Sequence, residues 1–150
     1  FALDLKKWRA IMKAYEDGGF AYHATMPTDA LAGLRDAMLE TREMGFDAAK
    51  TAQFALGNGA RLLLAAYGHP PLAADGFGAP GVVVCHTVRP ELQNGSAFAA
   101  AGYQIAAGVP LMLNEGPGLK TFRIGLFGLD KLKDVPGTLA RLDAALKSVA

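Results

Sequence analysis

The sequence is poor in cysteine and has no excess charge of either sign. Cys85 is the single cysteine in 150 residues, so neither a disulfide within the chain nor a zinc site built from cysteines can form. The 15 basic and 14 acidic residues give a net charge of +1 and form no polybasic tract, which argues against nucleic acid or an anionic membrane surface as a partner. No apolar run reaches the roughly 18 residues that a membrane span requires. We therefore expect a soluble, cytoplasmic protein.

Recognisable catalytic and metal-binding motifs are also absent from the sequence. The three histidines, His23, His69 and His86, do not have the spacing of metal ligands, and no serine lies in a nucleophile-elbow motif. We expect the histidines to be structural. The sequence predicts neither a metal site nor a catalytic residue within this chain.

The length of the chain and its 51% of hydrophobic residues suffice for one compact core, but not for two ordinary domains. Apolar periodicity and the positions of Gly and Pro predict helices over residues 4–17, 29–44, 47–68 and 94–101, and from Asp134 to the C-terminus. Strands are predicted over residues 82–86, 103–106 and 119–125. This order predicts an α+β fold, a small sheet of about three to four strands with helices packed on one face.

The segment Thr121–Gly128 contains one guanidinium, that of Arg123, within an otherwise apolar run. A strand that buries Phe122 and Ile124 has no packing use for this side chain. Arg remains protonated at any working pH, and its rigid fork of donors fits a carboxylate with two parallel hydrogen bonds. Arg123 is therefore a candidate anchor for a substrate carboxylate. The alternative is an ion pair with a nearby Asp or Glu at a strand edge.

Four short motifs occur in order along the chain: Leu3-Asp4-Leu5 with Trp8, Tyr22-His23-x-Thr25-x-Pro27, Leu34-Arg35, and Phe122-Arg123-Ile124-Gly125. Together they resemble the C-terminal part of the class V, fold-type I aminotransferases that depend on pyridoxal phosphate, especially the alanine-glyoxylate, serine-glyoxylate and aminoethylphosphonate-pyruvate group. The resemblance covers nearly the whole chain, although full members of the family are well over twice as long. It implies that residues 1–27 are a remnant of the large cofactor-binding domain and that residues 28–150 are the C-terminal small domain.

The resemblance also implies roles for particular residues. Arg123 would bind the α-carboxylate of the amino acid or 2-oxo acid, and Tyr22 and Thr25 would reach across a homodimer to the pyridoxal phosphate of the neighbouring subunit. Hydroxyl donors suit this position because they hydrogen-bond a dianion without adding charge near the Schiff base. His23 would be a positioned interface residue. The loop at residues 114–118 would approach the mouth of the active site, or would simply connect two strands.

The catalytic lysine of the family has no counterpart in this sequence. These enzymes hold the cofactor as an imine to a Lys and use the freed amine as a proton carrier, and no Lys here lies in a Ser/Thr-x-x-Lys motif. That Lys, and the Asp that faces the pyridine nitrogen, belong to the large domain, which would precede Phe1. The resemblance thus implies that an intact protein moves an amino group from a small amino acid to glyoxylate or pyruvate. This chain alone is expected neither to hold the cofactor covalently nor to transaminate.

Two alternatives remain open at this point. One is a free-standing α+β module that binds a small carboxylate through Arg123, or dimerises, without catalysis. The other concerns Cys85, because cysteine desulfurases share the parent fold and need a loop thiol. Since Cys85 lies in the β-branched run of residues 82–86, a buried and unreactive thiol is the favoured interpretation.

Overall fold

The computed structural model describes residues 3–149, so Phe1, Ala2 and Ala150 lie outside the described residues. The helices are α1 (Leu5–Glu16), α2 (Thr28–Met44), α3 (Phe46–Ala66), α4 (Pro90–Gln93), α5 (Ser96–Ala100), α6 (Leu129–Lys133) and α7 (Val135–Val149). The strands are β1 (Val82–His86), β2 (Ala106–Ala107) and β3 (Thr121–Gly125). The chain divides into two compact units, one ending at Glu40 and the other beginning at Thr41. No helix in the described range is long and apolar enough to cross a membrane.

The first unit consists of α1, most of α2 and the segment that joins them. Helix α1 begins where the Asp4 carboxylate accepts a hydrogen bond from the backbone N–H of Lys7 at 3.1 Å, which satisfies one of the free donors of the first turn. It ends just before Gly18, whose φ of 81° favours glycine. Ile11 is the buried residue of α1. Helix α2, described over its whole length, buries none of its residues, so this unit has only a small core of its own.

The second unit is built on a three-stranded antiparallel sheet in the order β1-β3-β2. The β-branched run Val82–His86 forms β1 with the predicted bounds. Strand β3 lies in the centre of the sheet, where Phe122 pairs with Cys85 of β1 on one side and with Ala107 of β2 on the other. The predicted α+β fold with a small sheet is therefore confirmed.

The core of the second unit lies between one face of the sheet and the helices. Phe98 of α5 and Phe122 of β3 are almost completely buried, and their ring centroids lie 6.0 Å apart. The other buried residues of this cluster come from α3, β1, α4, β3 and α7, and from the residue that follows β3: Leu56, Ala60, Leu64, Val83, Cys85, Leu92, Ile124, Leu126, Ala145, Leu146 and Val149. Strands β1 and β3 contribute alternate residues to this core, as the two-residue period of a strand requires, whereas both residues of β2 are exposed.

The prediction of a strand over residues 103–106 is wrong for residues 103–105. The backbone N–H of Tyr103 donates to the carbonyl of Phe98 at 2.8 Å, and Gly102 has a φ of 82°. These features close the end of α5, so Tyr103 belongs to a helix terminus. Strand β2 contains two residues, of which Ala106 alone falls within the predicted range.

Two helical predictions also need correction. The helix predicted over residues 94–101 begins two residues late, as α5 (Ser96–Ala100), because Gly95 before it has a φ of 80°. Helix α4 (Pro90–Gln93) lies outside that range and was not predicted. The short helix α6 was not predicted, since five residues are too few to show a helical period. It begins after Gly128, whose φ is 115°.

The two compact units divide within α2, whereas the family resemblance implies a boundary between residues 27 and 28. The implied boundary separates the large domain of the family from its small domain, whereas the observed one separates two compact units. The implied boundary therefore stays a prediction.

Candidate functional site

Arg123 lies on the face of β3 that points away from the core. Phe122 and Ile124 are 0% and 7% exposed, whereas Arg123 is only partly buried. Its Nε atom donates a hydrogen bond to the carbonyl oxygen of Ala107 on the neighbouring strand β2, at 3.0 Å. This bond fixes the base of the guanidinium and leaves both terminal Nη atoms without a hydrogen-bond partner among the described residues.

No carboxylate forms an ion pair with Arg123 within residues 3–149. The structure therefore does not contain the strand-edge ion pair that was the alternative interpretation of this residue. A guanidinium without a partner is a costly group to keep beside a sheet unless water or a ligand anion satisfies it.

The residues that pair with Arg123 in the two ladders are small or apolar. Val84 of β1 and Ala106 of β2 lie directly opposite Arg123 in the two ladders. Thr121 and His86, which pair with each other, share the same face two residues away. Neither ladder partner of Arg123 is therefore bulky or charged.

The loop that joins β2 to β3 forms one wall of a cavity of about 540 Å³. Thr121 and Gln93 also line this cavity, but Arg123 is not among its lining residues. The loop starts at Gly108, where the backbone approaches β3 so closely that a β-carbon would overlap the carbonyl oxygen of Thr121. Glycine is therefore required at this position.

The Glu115 carboxylate organises this loop. Its Oε1 atom accepts hydrogen bonds from the backbone N–H groups of Leu111 and Met112, the latter at 2.9 Å. Its Oε2 atom accepts a third, from Leu113, at 2.7 Å. The backbone N–H of Glu115 itself, followed by these three donors, lowers the pKa of Glu115 to about 2. Met112 and Asn114 have φ angles of 60° and 62°, which are uncommon for residues with a side chain, so the loop has one particular fold rather than a generic turn.

Tyr22 and Thr25 lie together in the first unit. Their hydroxyl oxygens are 3.3 Å apart, and both residues line a cavity of about 640 Å³ together with Trp8 and Glu16. Within the described residues, no Lys or Arg lines this cavity. The two hydroxyls can donate to a phosphate, but a positive charge for that phosphate has to come from another part of the protein. His23 packs edge-on against Trp8 with ring centroids 5.5 Å apart.

The predicted site residues thus lie in two separate units. Tyr22 and Thr25 form a pair of adjacent hydroxyls in the first unit, and Arg123 forms a single cationic anchor in the second. Their roles stay predictions. Sequence reasoning missed the carbonyl of Ala107 and the carboxylate of Glu115, and for Ala107 no sequence signal exists, because any residue carries that carbonyl.

Cys85 is fully buried in the core of the second unit. Burial raises the pKa of its thiol to about 12, so the thiol stays protonated and unreactive. The expected buried cysteine is confirmed, and a role as the loop thiol of a desulfurase does not fit this position. Among residues 3–149, no group of three or more His, Cys, Asp or Glu side chains is arranged to hold a metal ion.

The fold matches that of a solved enzyme. An alanine-glyoxylate aminotransferase from Nostoc sp. aligns with 86% of this chain at a TM-score of 0.69 and 17% sequence identity. The chain has the fold of an aminotransferase fragment. It spans 33% of the length of that enzyme, and at this identity the match supports a class V type of fold without deciding the subgroup. No protein-family model matches the sequence, and no curated protein sequence matches it.

Proposed function

We propose that this chain is the C-terminal part of a pyridoxal-phosphate-dependent aminotransferase that moves an amino group from a small amino acid to glyoxylate or pyruvate. The observation that carries the proposal is the Arg123 guanidinium, which is held on the open face of β3 and has no carboxylate partner within residues 3–149. The aminotransferase fold supports the enzyme class. The substrates are part of the proposal.

Arg123 has a binding and orienting role in this proposal. Its Nε atom is engaged by Ala107, so a substrate carboxylate meets the two Nη atoms end-on and forms two parallel hydrogen bonds. Holding the carboxylate in this way fixes the neighbouring α-carbon, where the proton is exchanged. A misplaced carboxylate would misalign that carbon and slow the reaction.

Tyr22 and Thr25 are proposed to contact the cofactor phosphate of the partner subunit in a homodimer. Bound pyridoxal phosphate supplies the electron sink of the reaction. The 3.3 Å separation of the two hydroxyl oxygens allows one phosphate group to contact both, and neither hydroxyl adds charge. The absence of basic side chains from the lining of their cavity is consistent with a contribution to a site whose charge comes from the other subunit.

The role of Arg123 is tested by Arg123→Ala in the complete aminotransferase that the proposal implies. Loss of a charge-assisted pair worth about 1.5 to 3 kcal/mol lowers kcat/KM for the amino acid roughly 10- to 150-fold, while the absorbance of the internal imine stays unchanged. Arg123→Lys retains the charge but not the fork, so it recovers only part of the loss. Arg42→Ala, which removes an exposed guanidinium of α2, is the matched control and leaves the kinetics unchanged. Unchanged kinetics for Arg123→Ala would remove the basis of the assignment.

The assignment of the imine-forming Lys to another part of the protein is tested on this chain alone. Titration with pyridoxal phosphate should give no saturable imine absorbance, because no Lys lies in the Ser/Thr-x-x-Lys motif of the family. A saturable band at one cofactor per chain would contradict this assignment, whatever the outcome for Arg123.

A further inference from the structure

A cavity of about 400 Å³ in the second unit has a basic lining. Three segments form it: residues 68–70 after α3, residues 86–89 at the end of β1, and residues 118–120 before β3. The lining residues include His69, His86, Arg89 and Lys120, and no Asp or Glu in the described part of the chain lines the cavity. We refer to it as the basic cavity.

The positive charge of the basic cavity is only partly neutralised. The Arg89 guanidinium is held in place, since its Nε atom donates to Glu91 at 2.7 Å and its Nη1 atom donates to the carbonyl of Val149 at 2.6 Å. Its Nη2 atom has no hydrogen-bond partner among the described residues. Lys120 is partly buried and forms no ion pair within residues 3–149. Among the described residues, Arg89 and Lys120 contribute two positive charges and Glu91 cancels one, so one net positive charge remains.

His69 adds an unsatisfied polar atom at the same place. Its Nδ1 atom is buried and has no hydrogen-bond partner among the described residues, which is unusual for a buried polar atom and calls for water, an ion or a ligand nearby. The imidazole packs edge-on against Phe122 with ring centroids 5.2 Å apart. The pKa of His69 is lowered, mainly by burial of the imidazole. A hydrogen bond with the backbone of His86 raises this pKa, and the charge of Arg89 lowers it further. The lowered pKa favours the neutral imidazole at pH 7, so His69 adds no positive charge to the cavity unless an anion stabilises its protonated form.

We propose that the basic cavity binds the phosphate group of a small anion, either free phosphate or a phosphate monoester. Donors on three separate segments surround the space, and this suits a tetrahedral anion, which accepts hydrogen bonds from several directions. A planar carboxylate is better matched by the single fork of one guanidinium. The one net positive charge, from Arg89 and the partly buried Lys120 against Glu91, favours an anion over a neutral ligand, and a bound anion would in turn favour the protonated form of His69. This site is distinct from the residues of the proposed aminotransferase function and does not depend on that function.

The test follows the imidazole NMR signals of His69 and His86 in the 150-residue chain. Inorganic phosphate, glycerol 3-phosphate and acetate are titrated separately at constant pH and ionic strength. The expected result is a saturable shift of both imidazoles with inorganic phosphate, and none with acetate. A response to glycerol 3-phosphate as well means that monoesters are accepted, and its absence restricts the ligand to free phosphate.

Lysine substitutions distinguish a specific phosphate site from nonspecific electrostatic attraction of anions to the protein. Lys120→Met should weaken phosphate binding about tenfold or more, as expected for the loss of one charge-assisted contact, and Lys120→Arg should retain binding. Lys50→Met removes the same charge from the exposed surface of α3 and should leave binding unchanged. The proposal is overturned by the lack of a saturable shift, by saturation with acetate instead of phosphate, or by equal weakening in Lys120→Met and Lys50→Met. Without phosphate, histidine NMR signals that match those of the unsubstituted chain establish that Lys120→Met is folded. If Lys120→Met does not fold, the phosphate affinity of Lys120→Arg still tests the site.

Discussion

Replacement of Gly108 by Ala tests the close approach between β2 and β3 that supports Arg123. A β-carbon at Gly108 would overlap the carbonyl oxygen of Thr121 and lie 2.7 Å from its carbonyl carbon, and real β-carbons essentially never come closer than 3.0 Å to such atoms. Both clashing atoms belong to the backbone of the central strand, so no side-chain rotation relieves them. Strand β2 must move away from β3, which lengthens the bond from Arg123 Nε to the carbonyl of Ala107.

The expected cost of Gly108→Ala is about 1 to 3 kcal/mol in the free energy of unfolding, the usual range for a group forced into a well-packed site. Loss of the Arg123–Ala107 hydrogen bond accounts for about 0.5 to 1.5 kcal/mol of that range. Gly116→Ala is the matched control, because a β-carbon on Gly116 of the same loop meets nothing within 4 Å. Both variants lose the flexibility of one glycine in the unfolded chain, so the difference between them reports the clash alone.

The assay is urea denaturation followed by circular dichroism, together with the NMR signal of the Arg123 Nε–H group. Gly108→Ala should lower the midpoint and shift the Nε–H signal, and Gly116→Ala should do neither. If the two variants agree within about 0.5 kcal/mol, the scatter expected of neutral surface changes, the reasoning about this contact is refuted.

Two further predictions concern single groups. In the folded chain the pKa of Glu115 is lowered from 4.5 to about 2. Its stabilisation of the loop is therefore complete above pH 4.5 and is lost as the pH falls through about 2. Amide exchange of Leu111 and Leu113 should show this loss, and Glu115→Gln should abolish the pH dependence. A pH dependence unchanged in Glu115→Gln would assign it to another group. The buried Cys85 thiol, with a pKa of about 12, should resist a thiol reagent at pH 8 in the folded chain and react at once in concentrated urea; rapid labelling of the folded chain would contradict its burial.

The sequence predicts the parts of this fold that depend on patterns of neighbouring residues. The run Val82–His86 is β-branched and lies between Pro80-Gly81 and Arg89-Pro90, so both its type and its bounds were predicted correctly. The same alternation predicts that Phe122 and Ile124 are buried while Arg123 lies on the other face. Burial of Cys85 follows from its place in a β-branched strand.

Other features depend on backbone geometry that residue types do not specify. Residues 103–106 look like a strand, but the left-handed φ of Gly102 turns the chain and gives Tyr103 to the end of α5. The loop before β3 has positive φ angles at Met112 and Asn114, and its N–H groups converge on the Glu115 carboxylate, an arrangement that residue types alone do not specify. The basic cavity unites three segments that are distant in sequence, and only the folded chain brings Lys120 to the histidines.

The alternation along β3 also separates two kinds of constraint on this short segment. Phe122 and Ile124 belong to the core cluster of the second unit, while Arg123 between them is only partly buried and is not a member of that cluster. A substitution at Arg123 should therefore change the charge of this surface at a cost no larger than its one hydrogen bond to Ala107, about 0.5 to 1.5 kcal/mol. Truncation of Phe122 or Ile124 removes buried core volume and should cost more, about 2 to 5 kcal/mol. Such a strand can acquire a new ligand preference by single steps, each of which leaves a folded protein on which the next can act.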